Sequence, residues 1–167
     1  STLLNLMAGI EKLSGGQIII KGHNIHRMSE KGLAKFRQNT LGFVFQSYNL
    51  LNSMTALENV ELPLVFKHMK PKLRRRLARQ MLINVGLGDR LKHKPTEMSG
   101  GQQQRVGIAR AFVCNPEIVF ADEPTGNLDS KTSREVMDII KNMAKMNKTI
   151  SSSLFFFKSL KLNAWAN

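Results

Sequence analysis

Short apolar blocks alternate with amphipathic helical stretches along the 167-residue chain. Leu3, Leu4, Leu6 and Met7 give residues 2–10 the pattern of a short helix. Gly15-Gly16 marks a turn and Gln17–Ile20 a short strand. Ser29–Gln38 reads as a helix, and Leu41–Phe45 as a strand buried on both faces, ending at Gln46. Thr55, with Glu58 three residues on, forms a capping-box pattern that predicts a helix through Val60. Pro71–Val85 is predicted as a helix with a buried stripe of Leu73, Leu77, Met81 and Val85, stopped by Gly86 and Gly88. A helix follows Ser99-Gly100-Gly101 to about Val113, with Asn115-Pro116 closing it. Ile118–Ala121 is a short apolar strand, Ser130–Met146 an amphipathic helix, and Lys148–Ile150 the start of a further strand. Strands alternating with helices at both ends, around a helical stretch, predict an α/β parallel-sheet core with a helical insert.

Charge is unevenly spread. The net charge is +13, and residues 67–94 hold ten basic groups against one acid. That block, around Lys72, Arg74, Arg75, Arg76 and Arg79, suits a solvated helix face, nucleic acid, anionic lipid or an acidic partner. The absence of interleaved aromatics argues against a base-stacking surface. With 42% hydrophobic and 22% charged residues, the composition is that of a folded globular domain. No apolar run approaches the roughly 18 residues of a membrane span. A single cysteine, Cys114, excludes an internal disulfide framework and suits a reducing compartment.

Three local patterns carry chemistry. An apolar strand, Ile118-Val119-Phe120-Ala121, delivers Asp122 and Glu123 at its C-terminal end, the edge where open α/β sheets bind ligands. Two carboxylates there can divide the work, Asp122 holding Mg²⁺ and Glu123 polarising an attacking water. Ser99-Gly100-Gly101-Gln102 opens a helix with uncovered backbone amides, an arrangement suited to phosphate. Gln46 ends another apolar strand, where its amide can face a metal or a water.

In order and spacing these patterns resemble the nucleotide-binding domain of ATP-binding-cassette (ABC) transporters. Ser99–Gln102 is similar to the signature motif, with Met98 in the usual leucine place. Phe120–Glu123 resembles the Walker B strand and its catalytic glutamate, Gln46 the Q-loop glutamine, and Gly126-Asn127-Leu128-Asp129 the D-loop. Ser47–Leu51, Glu61–Leu64 and Pro124–Ser130 look most like the lipoprotein-release and macrolide- or peptide-export subgroup. The resemblance covers residues 1–150. It implies a P-loop NTPase-like core, 1–53 and 116–150, with a helical subdomain at 54–115 and an unrelated tail at 151–167.

The same resemblance places Ser1 where a Mg²⁺-coordinating hydroxyl belongs and Thr2 where a phosphate contact belongs. The glycine-rich loop and lysine that precede these residues in the family are not in the sequence. All four histidines lie before the signature, so none stands at the family's switch position. The expectation is therefore a domain incomplete at both ends, with a frame shift or gene-fragment junction near residue 150.

What the resemblance implies for mechanism is a two-chain clamp around two ATP molecules. Ser1, Gln46 and Asp122 would serve Mg²⁺, and Glu123 would act as general base. Ser99, Gly100, Gly101 and Gln102 would meet the nucleotide held by a second nucleotide-binding domain, and Asp129 would report across the interface. A transmembrane permease would dock on the helical subdomain, which places the chain in the cytoplasm, peripheral to the membrane. Contact with inner-leaflet lipid is a secondary expectation. Two rivals stand beside this reading: a non-enzymatic remnant that lends its signature to a partner, and an ABC-type DNA-associated ATPase. Only 53 positions separate Gln46 from Ser99 and no heptads intervene, so the long coiled coil of the DNA-associated class has no place, and no nucleic acid is expected.

Overall fold

The computed structural model describes residues 2–12, 14–146 and 155–158. Three parallel strands form the central sheet in the order β3 (Leu41–Phe45), β4 (Ile118–Asp122), β5 (Phe155–Lys158). The side chains of β3 and β4 alternate across it, as the two-residue period requires. Leu41, Ile118 and Phe120 join one core, with Phe43 packed against it, beside Ala8, Ile25, Leu33 and Phe36. Val44, Val119 and Ala121 join the other, beside residues of the helices between β3 and β4 and of α6 (Ser130–Met146). Gly42 lets α5 (Gly100–Phe112) approach β3: a Cβ there would lie 2.6 Å from the Ala111 carbonyl oxygen and 3.0 Å from Pro116.

Before the sheet come α1 (Thr2–Met7) and a hairpin, β1 (Ile19–Ile20) and β2 (His23–Asn24). The hairpin turns on Lys21 and Gly22, both at positive φ (51° and 78°), the backbone of a tight two-residue hairpin turn. α2 (Glu30–Thr40) is capped by Ser29, whose hydroxyl accepts from the Gly32 amide, and runs directly into β3. Between β3 and β4 lie α3 (Ala56–Phe66), α4 (Pro71–Asn84) and α5, which pack on one another. The Thr55–Glu58 capping box forms as the sequence predicts.

Three local expectations change. α3 continues past Val60 to Phe66 with Pro63 inside it, because Leu57, Val60 and Leu64 share one buried face. Burial there outweighs the missing proline N–H. On α4 the buried stripe is Ala78, Leu82 and Val85, flanked by the partly buried Leu77 and Met81, while Leu73 is 37% exposed. At 3.6 residues per turn Leu73 falls on the opposite side of the helix from Leu82, so the face that buries Leu82 turns Leu73 outward. The basic groups do face solvent: Lys72, Arg75, Arg76 and Arg79 are exposed. Within the tail 151–167, for which no strand was expected, Phe155–Lys158 pairs in parallel with Val119–Asp122. Lys148–Ile150, expected to start a strand, lies outside the described residues.

Candidate functional site

Parallel pairing sets the site. Phe45 stands opposite Asp122 at the C-terminal ends of β3 and β4, so Gln46 and Glu123 follow on adjacent strands at one edge. Both side chains are half-buried. Glu123 takes φ +45°, a left-handed conformation that is strained for a residue with a long side chain. A turn holds it there: the Gly126 amide donates to the Glu123 carbonyl at 3.0 Å. The following carbonyl, of Pro124, accepts from Nε2 of Gln104, a fully buried residue of α5. Oε1 of the same Gln104 is buried with no partner among the described residues.

Gln46 packs against the turn that follows the carboxylates. Its Nε2 lies 3.5 Å from Asn127 Oδ1, and Asn127 Nδ2 donates to the Gln46 carbonyl at 3.2 Å. Gly126 makes room, since a Cβ there would come within 2.6 Å of Gln46 Nε2. Asp129 then caps α6. Its Oδ1 accepts from the Lys131 and Thr132 amides, both at 3.0 Å, and its Oδ2 from the Thr132 hydroxyl at 2.6 Å. The Thr132 hydroxyl and then the Thr132 amide hold the Asp129 carboxyl below its ordinary range.

Ser99 caps α5 in a full capping box. Its hydroxyl accepts from the Gln102 amide at 3.3 Å, and Gln102 Oε1 accepts from the Ser99 amide at 3.0 Å. Ser99 is exposed and Gly100 half-buried, whereas Gly101 is buried. A Cβ on Gly101 would meet Thr132 Cγ2 at 2.5 Å, and one on Gly100 would meet Tyr48 Oη at 2.9 Å and Leu128 Cδ2 at 3.5 Å. The two glycines therefore serve packing as well as amide exposure, a role the sequence reading did not give them. Of the first-turn amides, that of Gln102 is already taken by the Ser99 hydroxyl, and Gly101 is buried.

The structure thus joins Gln46, the turn 123–129 and the Ser99 cap into one connected surface, with Asp122 and Glu123 at its strand end. Thr2 opens α1, and Ser1 lies outside the described residues. Sequence reasoning missed Gln104 and Arg110. Arg110 carries a visible signal, a lone charge within the apolar run Ile108–Val113; Gln104 carries none beyond its place in the Ser99 helix.

A family model described as ABC transporter matches residues 1–126. The chain belongs to the ABC transporter family. It is 49% identical, over 150 residues, to an uncharacterized ABC transporter ATP-binding protein of Thermotoga maritima, covering 90% of this chain and 64% of that protein. Over the same share of this chain it is 46% identical to the macrolide export ATP-binding/permease protein MacB of Marinobacter nauticus, of which it spans 23%. The expected likeness to macrolide-export proteins is met by that relative. Among solved structures, the ATP-binding cassette MJ0796, a dimer in a post-hydrolysis state bound to ADP and Pi, superposes with TM-score 0.80. It is 40% identical, with 93% of this chain and 68% of that one covered. The P-loop NTPase-like α/β fold and the ABC assignment both stand on these likenesses. No described helix of the cassette is long and apolar enough to cross a membrane.

Proposed function

We propose that the chain is part of an ATP-binding and ATP-hydrolysing transporter subunit that works as one of two facing cassettes. The observation that carries the reading is the strand-end pair Asp122-Glu123 beside Gln46, linked through 126–129 to the Ser99 cap. Glu123 takes the general-base role. Its backbone, one residue past the ladder, is held by the 123–126 turn and by Gln104, which supports a fixed place for the carboxylate at the sheet edge. A positioned general base contributes about 10²–10⁴-fold to rate. Ser99 and Gly100 offer a hydroxyl and an amide to phosphate oxygens held by the facing cassette.

For Mg²⁺ the donor set fits: a carboxylate at Asp122 and an amide oxygen at Gln46, both hard oxygen ligands, with the Ser1 hydroxyl assigned to the same ion. Bound there, the ion would neutralise phosphate charge, and Asp122 and Gln46 would orient it. The MJ0796 cassette, with its ADP and Pi, supports the nucleotide class, and its dimeric form supports the two-cassette arrangement. MacB, in which ATP-binding and permease functions share one name, supports a permease partner and hence a place beside the membrane. The helical subdomain, 54–115, carries the docking surface in this reading. It borders a groove of about 1040 Å³ lined by Phe45, Asn49, Pro63, Phe66 and Arg110.

A chimera tests the reading, with residues 1–150 replacing the matching segment of the 49%-identical Thermotoga cassette. Mg²⁺-dependent ATP turnover is expected, falling at least about 100-fold in Glu123→Gln while ATP binding persists. A chimera that turns over ATP equally well with Glu123→Gln would overturn the role of Glu123.

A further inference from the structure

Arg110 lies near the far end of α5 from the Ser99 cap, yet the two are connected by one residue. Arg110 Nη2 donates to the Tyr48 carbonyl at 2.8 Å and Nη1 to the Asn49 carbonyl at 2.6 Å. Both acceptors belong to residues at positive φ, 59° and 49°. Left-handed backbone is costly for tyrosine, and two such residues in succession persist only when something outside the loop holds them. The planar guanidinium fork, which presents two parallel donors, suits that task in a way a lysine does not. Burial pushes the Arg110 pKa down, though the group stays charged.

Tyr48 then runs back along α5. Its carbonyl oxygen lies 3.7 Å from where a Gly107 Cβ would sit, and its hydroxyl 2.9 Å from that of Gly100. The residue two places after Gln46 therefore touches the signature helix at its first residue, near its middle and, through Arg110, near its end. A Cβ at Gly100 would displace the tyrosine, so the glycine is also the seat of its ring.

We propose that Arg110 and Tyr48 form a latch along α5, in which Arg110 is a positioning residue that fixes the loop after Gln46 and, through the Tyr48 side chain, the Ser99–Gly100 cap. The latch deepens the proposed function, since it takes Gln46 and Ser99 as nucleotide-facing groups. Its test uses no nucleotide, so the two can fail separately.

Amide hydrogen exchange of the 167-residue chain, read by peptide, provides that test. The reporting amides are Tyr48 and Asn49 in the loop, and Ser99, Gln102 and Gln103 in the cap, all hydrogen-bonded here. Arg110→Met is expected to speed exchange in both groups at least tenfold and to leave residues 135–145 of α6 within twofold. Arg110→Lys, with one point charge for two carbonyls, should fall between Met and Arg. Acceleration in the loop alone, equal acceleration in α6, or Arg110→Lys as fast as Arg110→Met would each overturn the latch. Tyr48→Leu guards against a variant that does not fold. It should speed the cap amides at least tenfold and leave the Asn49 amide closer to its original rate; unchanged cap amides would refute the coupling.

Discussion

Gly101→Ala probes whether the signature turn is built on α6. The added methyl would sit 2.5 Å from Thr132 Cγ2, about 1 Å inside the usual carbon–carbon contact. Thr132 cannot rotate clear, because its hydroxyl is held at 2.6 Å by Asp129. Overpacking of this kind costs about 1–3 kcal/mol. Against it stands the better helix propensity of alanine, worth up to about 1 kcal/mol. The net expectation is a loss of about 1–2 kcal/mol, or a drop of several degrees in Tm for a chain of this size. Thr132→Ser removes the methyl and keeps the hydroxyl on Asp129. In that background Gly101→Ala should become neutral or stabilising, so the effect changes sign. Urea unfolding of the four proteins of the cycle, followed by circular dichroism, measures the coupling. Equal destabilisation in both backgrounds would refute the contact as the cause.

Three further outcomes follow from the same geometry. At Glu123, left-handed backbone costs a residue with a Cβ about 1–2 kcal/mol, and glycine gives back about 0.5–1 of that in unfolded-state entropy. Glu123→Gly should therefore be about 0.5–1 kcal/mol more stable than Glu123→Ala by urea unfolding, and the reverse order would contradict the strained turn. Folding lowers the carboxyl pKa of Glu58, chiefly through the Thr55 amide, and of Asp129, chiefly through the Thr132 hydroxyl. Their contribution is complete above the ordinary values of 4.5 and 3.8 and is lost as pH falls through the lowered folded values. Unfolding midpoints from pH 6 to pH 2 should fall along that course, less steeply in a Thr55→Val, Thr132→Val double variant; equal slopes would contradict it. The exposed Lys72, Arg75, Arg76 and Arg79 of α4 should bind vesicles containing phosphatidylserine at low salt, with loss at 0.5 M salt and in Arg75→Glu, Arg76→Glu. Binding indifferent to both changes would exclude a lipid role for this face.

Much of the architecture is legible in the chain because β3 and β4 are short apolar runs and the caps of α3 and α5 are a Thr or Ser with its partner three residues on. Leu41–Phe45, Ile118–Asp122 and the Thr55 and Ser99 caps needed no tertiary information. The carboxylate pair was readable for the same reason: a strand end is a fixed address in a parallel sheet. What was not readable depends on partners distant in sequence. Pro63 sits inside a helix because α4 and α5 cover its neighbours, and Leu73 faces outward because it lies on the side of α4 opposite the buried Leu82. Phe155–Lys158 joins the sheet through backbone pairing with β4, which no side-chain period announces. Gln104 and Arg110 act on carbonyl groups of Pro124, Tyr48 and Asn49, and backbone acceptors leave no mark on the sequence.

The two-cassette claim is tested most directly by complementation. An intact ABC cassette whose own signature serine has been replaced by arginine is mixed with the 167-residue chain, and phosphate release is followed in Mg-ATP. Phosphate release by the 167-residue chain alone and by the crippled cassette alone sets the two baselines. Added to the crippled cassette, the chain should restore turnover, and its Ser99→Arg variant should not. No restoration, or equal restoration by Ser99→Arg, would contradict the assignment of the Ser99 cap to nucleotide held by a facing cassette.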